Sequence, residues 1–273
     1  MEQKFLIINA DDLGFSHEIN LAVMNCYKAG RVTDMSVMPC GDLFDGACAL
    51  LKSNGITSCG AHLALTGKLK PLSPLRSYDG FFPSDYKKLI FSGYSGEEIY
   101  SELRAQLEKL ASSGLKISHV DAHEHVHMMP MVFGPVLRLA REFGVRYVRV
   151  PYENISMTAE GFTLKDMARF IALRGMVSGR KKTLLAAGIC FNTAFFGHFH
   201  SGRMNDGVFS FMLDRVEPGV SEVAVHPAVR SDKFLAEYPW YKNSAKEYEL
   251  LLKGEWFSKL KANNIQLASY AEL

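Results

Sequence analysis

Apolar residues follow two alternating rhythms along the chain. Short runs rich in Val, Ile, Phe and Leu give way to longer stretches with apolar residues at helical spacing, several of them closed by glycine. Lys4 to Ala10 is apolar and β-branched, the pattern of a buried strand. Glu18 to Ala29 carries Ile19, Val23 and Cys26 at helical spacing, and Gly30 is a natural C′ residue. Val32 to Pro39 predicts a second strand. Asp42 to Asn54 predicts a second helix, with Asp42 as its N-cap and Gly55 past its end. Ile56 to Leu65 is a third strand. A helix follows from Gly96 to Ser113, with Ile99, Leu103, Leu107 and Leu110 as its stripe, Ser95 and Glu98 as a capping box, and Gly114 as its stop. Leu115 to Asp121 is a fourth strand, Met131 to Phe143 a helix, and Val145 to Val150 a fifth strand. Later come a strand at Val220 to Val225, one long helix from Ser244 to Asn263 and a last strand from Ile265 to Tyr270. Between Tyr152 and Asp206 the pattern is irregular, with a helix around Leu164 to Arg174.

Successive βα units imply a parallel sheet with right-handed crossovers. No repeat, low-complexity segment or linker divides the chain. The reading is therefore α/β: one domain over residues 1–273, a distorted (β/α) barrel with parallel strands and two long loop insertions. Those insertions, 66–94 and 152–206, exceed ordinary βα loops, and loops of that size beside a site commonly form its walls or lid. Hydrophobic content of 48% and charged content of 22% are ordinary for a globular protein. The net charge of +2 gives no case for nucleic acid or an anionic membrane as partner. No apolar run reaches the length of a membrane span. The start, MEQKFLIINADD, enters a strand directly without a signal-peptide pattern, so a cytoplasmic location is expected. The five cysteines are Cys26, Cys40, Cys48, Cys59 and Cys190; an odd count without a CxxC pair reads as reduced, buried thiols.

The chemistry concentrates where predicted strands end. His119, Asp121, His123, His125 and His127 lie two apart in the run HVDAHEHVH, which holds four of the nine histidines. If the backbone stays extended, all five point the same way, and Glu124 points away from them. Imidazoles and a carboxylate converging on one point suit a divalent metal and ill suit an apolar core. At ~3.3 Å per residue the five groups span too far for one ion, so only one or two bind it directly. The others orient ligands, touch substrate or act in catalysis, with Asp121 or His119 as candidates to fix an imidazole through its second nitrogen. Asp11 and Asp12 end the first strand, His62 lies in the third, and His226 ends a late one. Ligands bind at the carboxyl ends of parallel strands, so these groups can meet in space. Aromatics in the insertions, Tyr78, Phe81, Phe82, Phe195 and Phe196, are candidates to stack on a sugar, although core packing suits most of them better. A phosphoesterase, a two-His-one-carboxylate iron oxygenase and a non-catalytic metal- or sugar-binding protein all share such a cluster.

Four motifs, NADDLGFS, GAHLALTG, HVDAHEHVHMMP and VAVHPA, resemble in content and order the YdjC-like family of carbohydrate deacetylases, which includes bacterial chitooligosaccharide deacetylases. The resemblance covers essentially the whole chain. It implies a barrel-like fold and metal-dependent removal of an N-acetyl group from an amino sugar or oligosaccharide. By the same resemblance, Asp12, His62 and His123 are the metal ligands and Asp11 is the general base. His226 is a general acid or transition-state stabiliser. The resemblance leans towards one Mg or Zn ion and suggests a homodimer. No motif carries over to residues 152–206, so it leaves the particular sugar open.

Overall fold

The computed structural model describes residues 3–77, 79–153 and 164–273. Tyr78, one of the aromatic candidates, lies outside them, as do residues 154–163 of the second insertion. The elements in chain order are β1 (Lys4–Leu13), α1 (His17–Lys28), β2 (Asp34–Val37), α2 (Phe44–Ser53), β3 (Ser58–Leu63), α3 (Tyr86–Ile90), α4 (Gly96–Ser112) and β4 (Lys116–Ala122). A 3-10 segment (His123–Met128), α5 (Pro130–Glu142), β5 (Tyr147–Val148), α6 (Leu164–Val177), α7 (Arg180–Ala186), β6 (Ala194–Phe196) and α8 (Asp206–Leu213) come next. The chain ends with β7 (Gly219–Val225), α9 (Asp232–Glu237), a 3-10 turn (Pro239–Tyr241), α10 (Ser244–Lys253), α11 (Trp256–Ala262) and β8 (Ile265–Leu267).

All strand pairs are parallel, in the order β5-β4-β3-β2-β1-β7-β6. β8 pairs with Lys4–Leu6 of β1, whose later residues pair with β2. The two edges of the sheet approach where Tyr147 of β5 forms a parallel bridge with Cys190, ahead of β6, and Asn192 bonds both backbone groups of Val150 from the same segment. The sheet therefore curls into a distorted barrel, as its alternating pattern predicts. The main apolar core lies between the outer face of the sheet and the helices. The inner face is different: Asn9, Asp11, Ser36, His62, His119, Asp121, Arg149 and Glu222 are polar and nearly inaccessible.

Gly60 shows how tightly this polar interior is packed. A methyl group there would overlap the His119 ring and Ser36 Oγ. An extra residue in β4, opposite the Cys59–Ala61 step of β3, accompanies this close fit. Gly60→Ala is expected to cost about 1–3 kcal/mol by overpacking, read from a denaturant midpoint. An unchanged midpoint would mean that His119 can move aside freely.

Several local expectations are corrected. α2 starts at Phe44 with Leu43 before it and no side-chain cap, so Asp42 is not the N-cap. There the amide of Leu43 bonds Gly14 O and that of Phe44 bonds Gly41 O, so a tertiary contact replaces the capping side chain. The long C-terminal helix is two, α10 and α11, broken at extended Gly254, where a Cβ would collide with Leu250 O. Residues 152–206 are more than a loop, since they contain barrel strand β6. Three residues gave that strand too short a pattern to stand out. Capping of α4 by Ser95 and Glu98 is as the spacing predicts. No disulfide joins the cysteines; four are buried and Cys190 is exposed. Burial pushes the Cys26 thiol up to about 12. No helix among the described residues is long and apolar enough to cross a membrane.

Candidate metal centre and its buried charge network

Asp11 and Asp12 are neighbours on a strand, where successive side chains should face opposite ways. β1 escapes this rule by a bulge. Ala10 pairs with Met35 and Leu13 with Val37, so three steps on β1 oppose two on β2. Asp12 sits there at φ 64, a left-handed conformation that Asp tolerates better than most residues. Both carboxylates consequently reach the barrel mouth.

Asp12 Oδ1 lies 3.2 Å from His62 Nε2 and 3.2 Å from His123 Nδ1. Its other oxygen accepts a 2.7 Å hydrogen bond from Tyr241 Oη. Burial opposes the charge of Asp12, but the hydrogen bonds with His123 and His62 outweigh it and hold the carboxyl well below its usual range. His62 presents Nε2 to Asp12 because Nδ1 faces Asp121 Oδ1 at 2.9 Å. This is the carboxylate–imidazole pairing that orients a metal-binding histidine. Burial opposes protonation of His62, yet Asp121, Asp11 and Asp12 outweigh it and raise its pKa well above the ordinary value.

The donor set passes two tests for a divalent ion. Asp12, His62 and His123 bring one oxygen and two nitrogens within 4.8 Å of one another. Donor pairs around a four-coordinate ion with bonds of about 2.0–2.1 Å stand about 3.3 Å apart, close to the spacing found. The donor chemistry agrees, because one carboxylate and two imidazoles, with Asp12 and His62 nearly inaccessible, are a set that a divalent ion accepts. A second grouping, Asp11, His62 and Asp121, is also compact. Its space is already taken: Arg149 binds Asp11 through Nη1 and Nη2 at 2.7 Å each, and Nη2 binds Asp121 at 2.7 Å.

Arg149 is the organising residue that sequence reading missed. Besides Asp11 and Asp121, it donates from Nε to Glu222 Oε1 at 2.9 Å. Burial opposes its charge, but Asp11, Asp121 and Glu222 outweigh this and raise its pKa further. Burial raises Glu222 to about 7, and Tyr270 Oη donates to its other oxygen at 2.7 Å. Asn9 Nδ2 adds a 2.7 Å bond to Asp11 Oδ1. The sequence signal for Arg149 was a basic residue inside a predicted barrel strand, where an unpaired charge is untenable. Tyr241 gave no comparable signal.

The histidine run does not stay extended. β4 ends at Ala122, and the chain turns into the 3-10 segment with Glu124 at φ 52 and His125 at φ 55. Strand pairing stops there, since β3 ends at Leu63 opposite Ala122 and β5 is only two residues long. The five groups therefore separate. His123 remains beside Asp12, and Asp121 orients His62. His119 is a satisfied buried histidine: it lies 3.0 Å from Ser36 Oγ and 2.9 Å from Ser118 Oγ and stacks on Tyr270. Burial lowers its pKa to about 3. His127 donates from Nε2 to Arg149 O at 2.9 Å, and burial lowers its pKa to about 4. His125 packs edge-on against Phe195. Glu124 is exposed, away from the ligands.

His226 directly follows β7, with Nε2 3.8 Å from Asp11 Oδ2. Its backbone amide is held by Glu247 Oε1 at 2.9 Å, while its Nδ1 has no hydrogen-bond partner among the described residues. Of the aromatic candidates, Phe82, Phe195 and Phe196 are buried, and Phe81 is partly exposed.

The family described as YdjC-like protein matches residues 5–262. A Brevibacillus brevis protein named carbohydrate deacetylase is 30% identical over 273 residues, spanning 98% of this chain and 99% of its own. A Clostridium beijerinckii protein of the same name is 28% identical over 280 residues, spanning 98% and 99%. A solved Enterococcus faecalis structure, provisionally described as a cellobiose-phosphate cleavage protein, matches with TM-score 0.80 at 24% identity over 99% of this chain and 98% of that one. That likeness is one of fold.

Proposed function

Since the chain belongs to the YdjC-like family, we propose that it is a carbohydrate deacetylase, hydrolysing the N-acetyl group of an N-acetylated amino sugar or oligosaccharide with one divalent ion. The observation that carries this reading is the convergence of Asp12, His62 and His123 beside Asp11, a carboxylate fixed from behind by Arg149. Asp12, His62 and His123 hold the ion, which we take to be magnesium or zinc; when bound it supplies Lewis-acid polarisation of the acetyl carbonyl and acidifies water.

The chain's own residues do the rest. Asp11 accepts the proton of the attacking water. Arg149 grips both its oxygens, so the carboxylate cannot swing away, and Asn9 restricts it further. His226 faces the same carboxylate and either stabilises the developing oxyanion or donates a proton to the leaving amine. Asp121 keeps His62 in the tautomer that presents Nε2, and Tyr241 keeps Asp12 presenting Oδ1.

The test is acetate release by metal-reconstituted protein from a panel running from N-acetylglucosamine to chitooligosaccharides. No release from any member, with the ion bound, would overturn the reading. The ligand assignment has its own measurement. His62→Ala and His123→Ala are each expected to lower metal stoichiometry severalfold, by elemental analysis of dialysed protein. Full occupancy in both variants would sink the ligand set.

A further inference from the structure

Beside the site stands an aromatic group that the proposed chemistry leaves unused. Phe15, three residues beyond Asp12, packs edge-on against Tyr238 at 4.8 Å between ring centroids and lies tilted against Tyr241 at 5.7 Å. Trp240 joins this group, 5.4 Å from Tyr238 and 6.0 Å from Tyr241. Unlike Tyr241, which is buried, Trp240 is 54% exposed. Its place is fixed by the fold. It is the middle residue of the 3-10 turn Pro239–Tyr241, whose proline restricts the backbone. The next residue, Tyr241, is tied to Asp12 by its 2.7 Å hydrogen bond. One phenol ring and one hydrogen bond thus separate the indole from the candidate metal ligand.

From this geometry we propose that Trp240 is a stacking platform for the sugar unit next to the one being deacetylated, so that the site prefers an oligosaccharide to a monosaccharide. The inference rests on the deacetylase reading above and deepens it. A pyranose ring presents an apolar face of C–H bonds, and its hydroxyls project from the rim. A broad planar ring, held by neighbouring aromatics and largely open to water, complements that face. The unit carrying the acetyl group must reach Asp11 and Asp12, which leaves its neighbour to meet the indole. Because the platform is already held by Tyr238 and Tyr241, little ordering is needed on binding.

The chain has two tryptophans, and Trp256 is completely buried. Fluorescence quenching by an added ligand therefore reports on Trp240. Metal-loaded Asp11→Asn protein titrated with N-acetylchitotetraose is expected to show a change in emission, and N-acetylglucosamine at equal concentration is expected to show little. In the otherwise wild-type enzyme, Trp240→Ala should raise KM for the tetrasaccharide roughly tenfold with kcat and monosaccharide kinetics unchanged, and Trp240→Phe should recover part of the loss. Turnover of both sugars without an emission change, or with KM unaffected by Trp240→Ala, overturns the platform and leaves the deacetylase reading standing. An emission change specific to the tetrasaccharide, without acetate release by the wild type, overturns the deacetylase reading and with it the role assigned to the platform. An equal rise in KM for both sugars also overturns the platform, because it assigns Trp240 to general support of the site.

Discussion

Asp11→Asn is expected to lower acetate release about a thousandfold or more while leaving the metal content unchanged. The rate loss is the usual size for removing a positioned general base and corresponds to about 4 kcal/mol of activation free energy. Metal retention follows from the division of labour at the bulge in β1. Asp12 turns towards His62 and His123, whereas Asp11 is gripped by Arg149. Asparagine keeps the shape and one acceptor oxygen for Arg149, so the fold should tolerate it. Elemental analysis and acetate release on the same sample make the test. Full activity would remove Asp11 as the base. Loss of the ion would instead make Asp11 a ligand, in favour of its grouping with His62 and Asp121.

The largest effect on stability is expected from Arg149→Met. Methionine fills much of the volume but leaves Asp11, Asp121 and Glu222 facing one another in a fully buried space. Breaking a buried ion pair from one side costs about 3–5 kcal/mol, because the remaining charge is left without a partner. For a chain of this size that is a fall in Tm of roughly 10 °C or more. Part of the loss should be recovered by Glu222→Gln in the same protein, since one surplus carboxylate is removed. The two changes should therefore be less than additive. A variant melting with the wild type would show that the network contributes nothing to stability. Calorimetry on the metal-free proteins separates this effect from metal binding.

Much of the fold was legible because helices and strands write their periods into the sequence. β1, α1, α4, β4 and β7 lie within a few residues of their predicted bounds, and the Ser95–Glu98 capping box forms as its spacing implies. Short elements carried too little pattern: β6 has three residues and α3 five. The break at Gly254 was hidden because glycine inside a helical pattern does not say whether the helix tolerates it or ends there.

For the site, the chain by itself determined which polar residues stand at strand ends, so that Asp11, Asp12, His62, the histidine run and His226 can meet in space. This follows from parallel topology, which gathers the carboxyl ends of distant strands. The choice of Asp12, His62 and His123 among them came from the family resemblance. Only the tertiary structure decided which way they face. The bulge at Asp12 lets two adjacent acids share the barrel mouth, and the turn after Ala122 divides a uniform-looking histidine run among a partner for Asp12, an imidazole orienter, packing and hydrogen bonding. Arg149 reaches Asp11 across 138 residues, and Tyr241 reaches Asp12 across 229. Local periodicity records burial and secondary structure, because those depend on neighbours in sequence. The sign of a backbone dihedral and the partner of a buried charge depend on neighbours in space, which the folded barrel alone supplies.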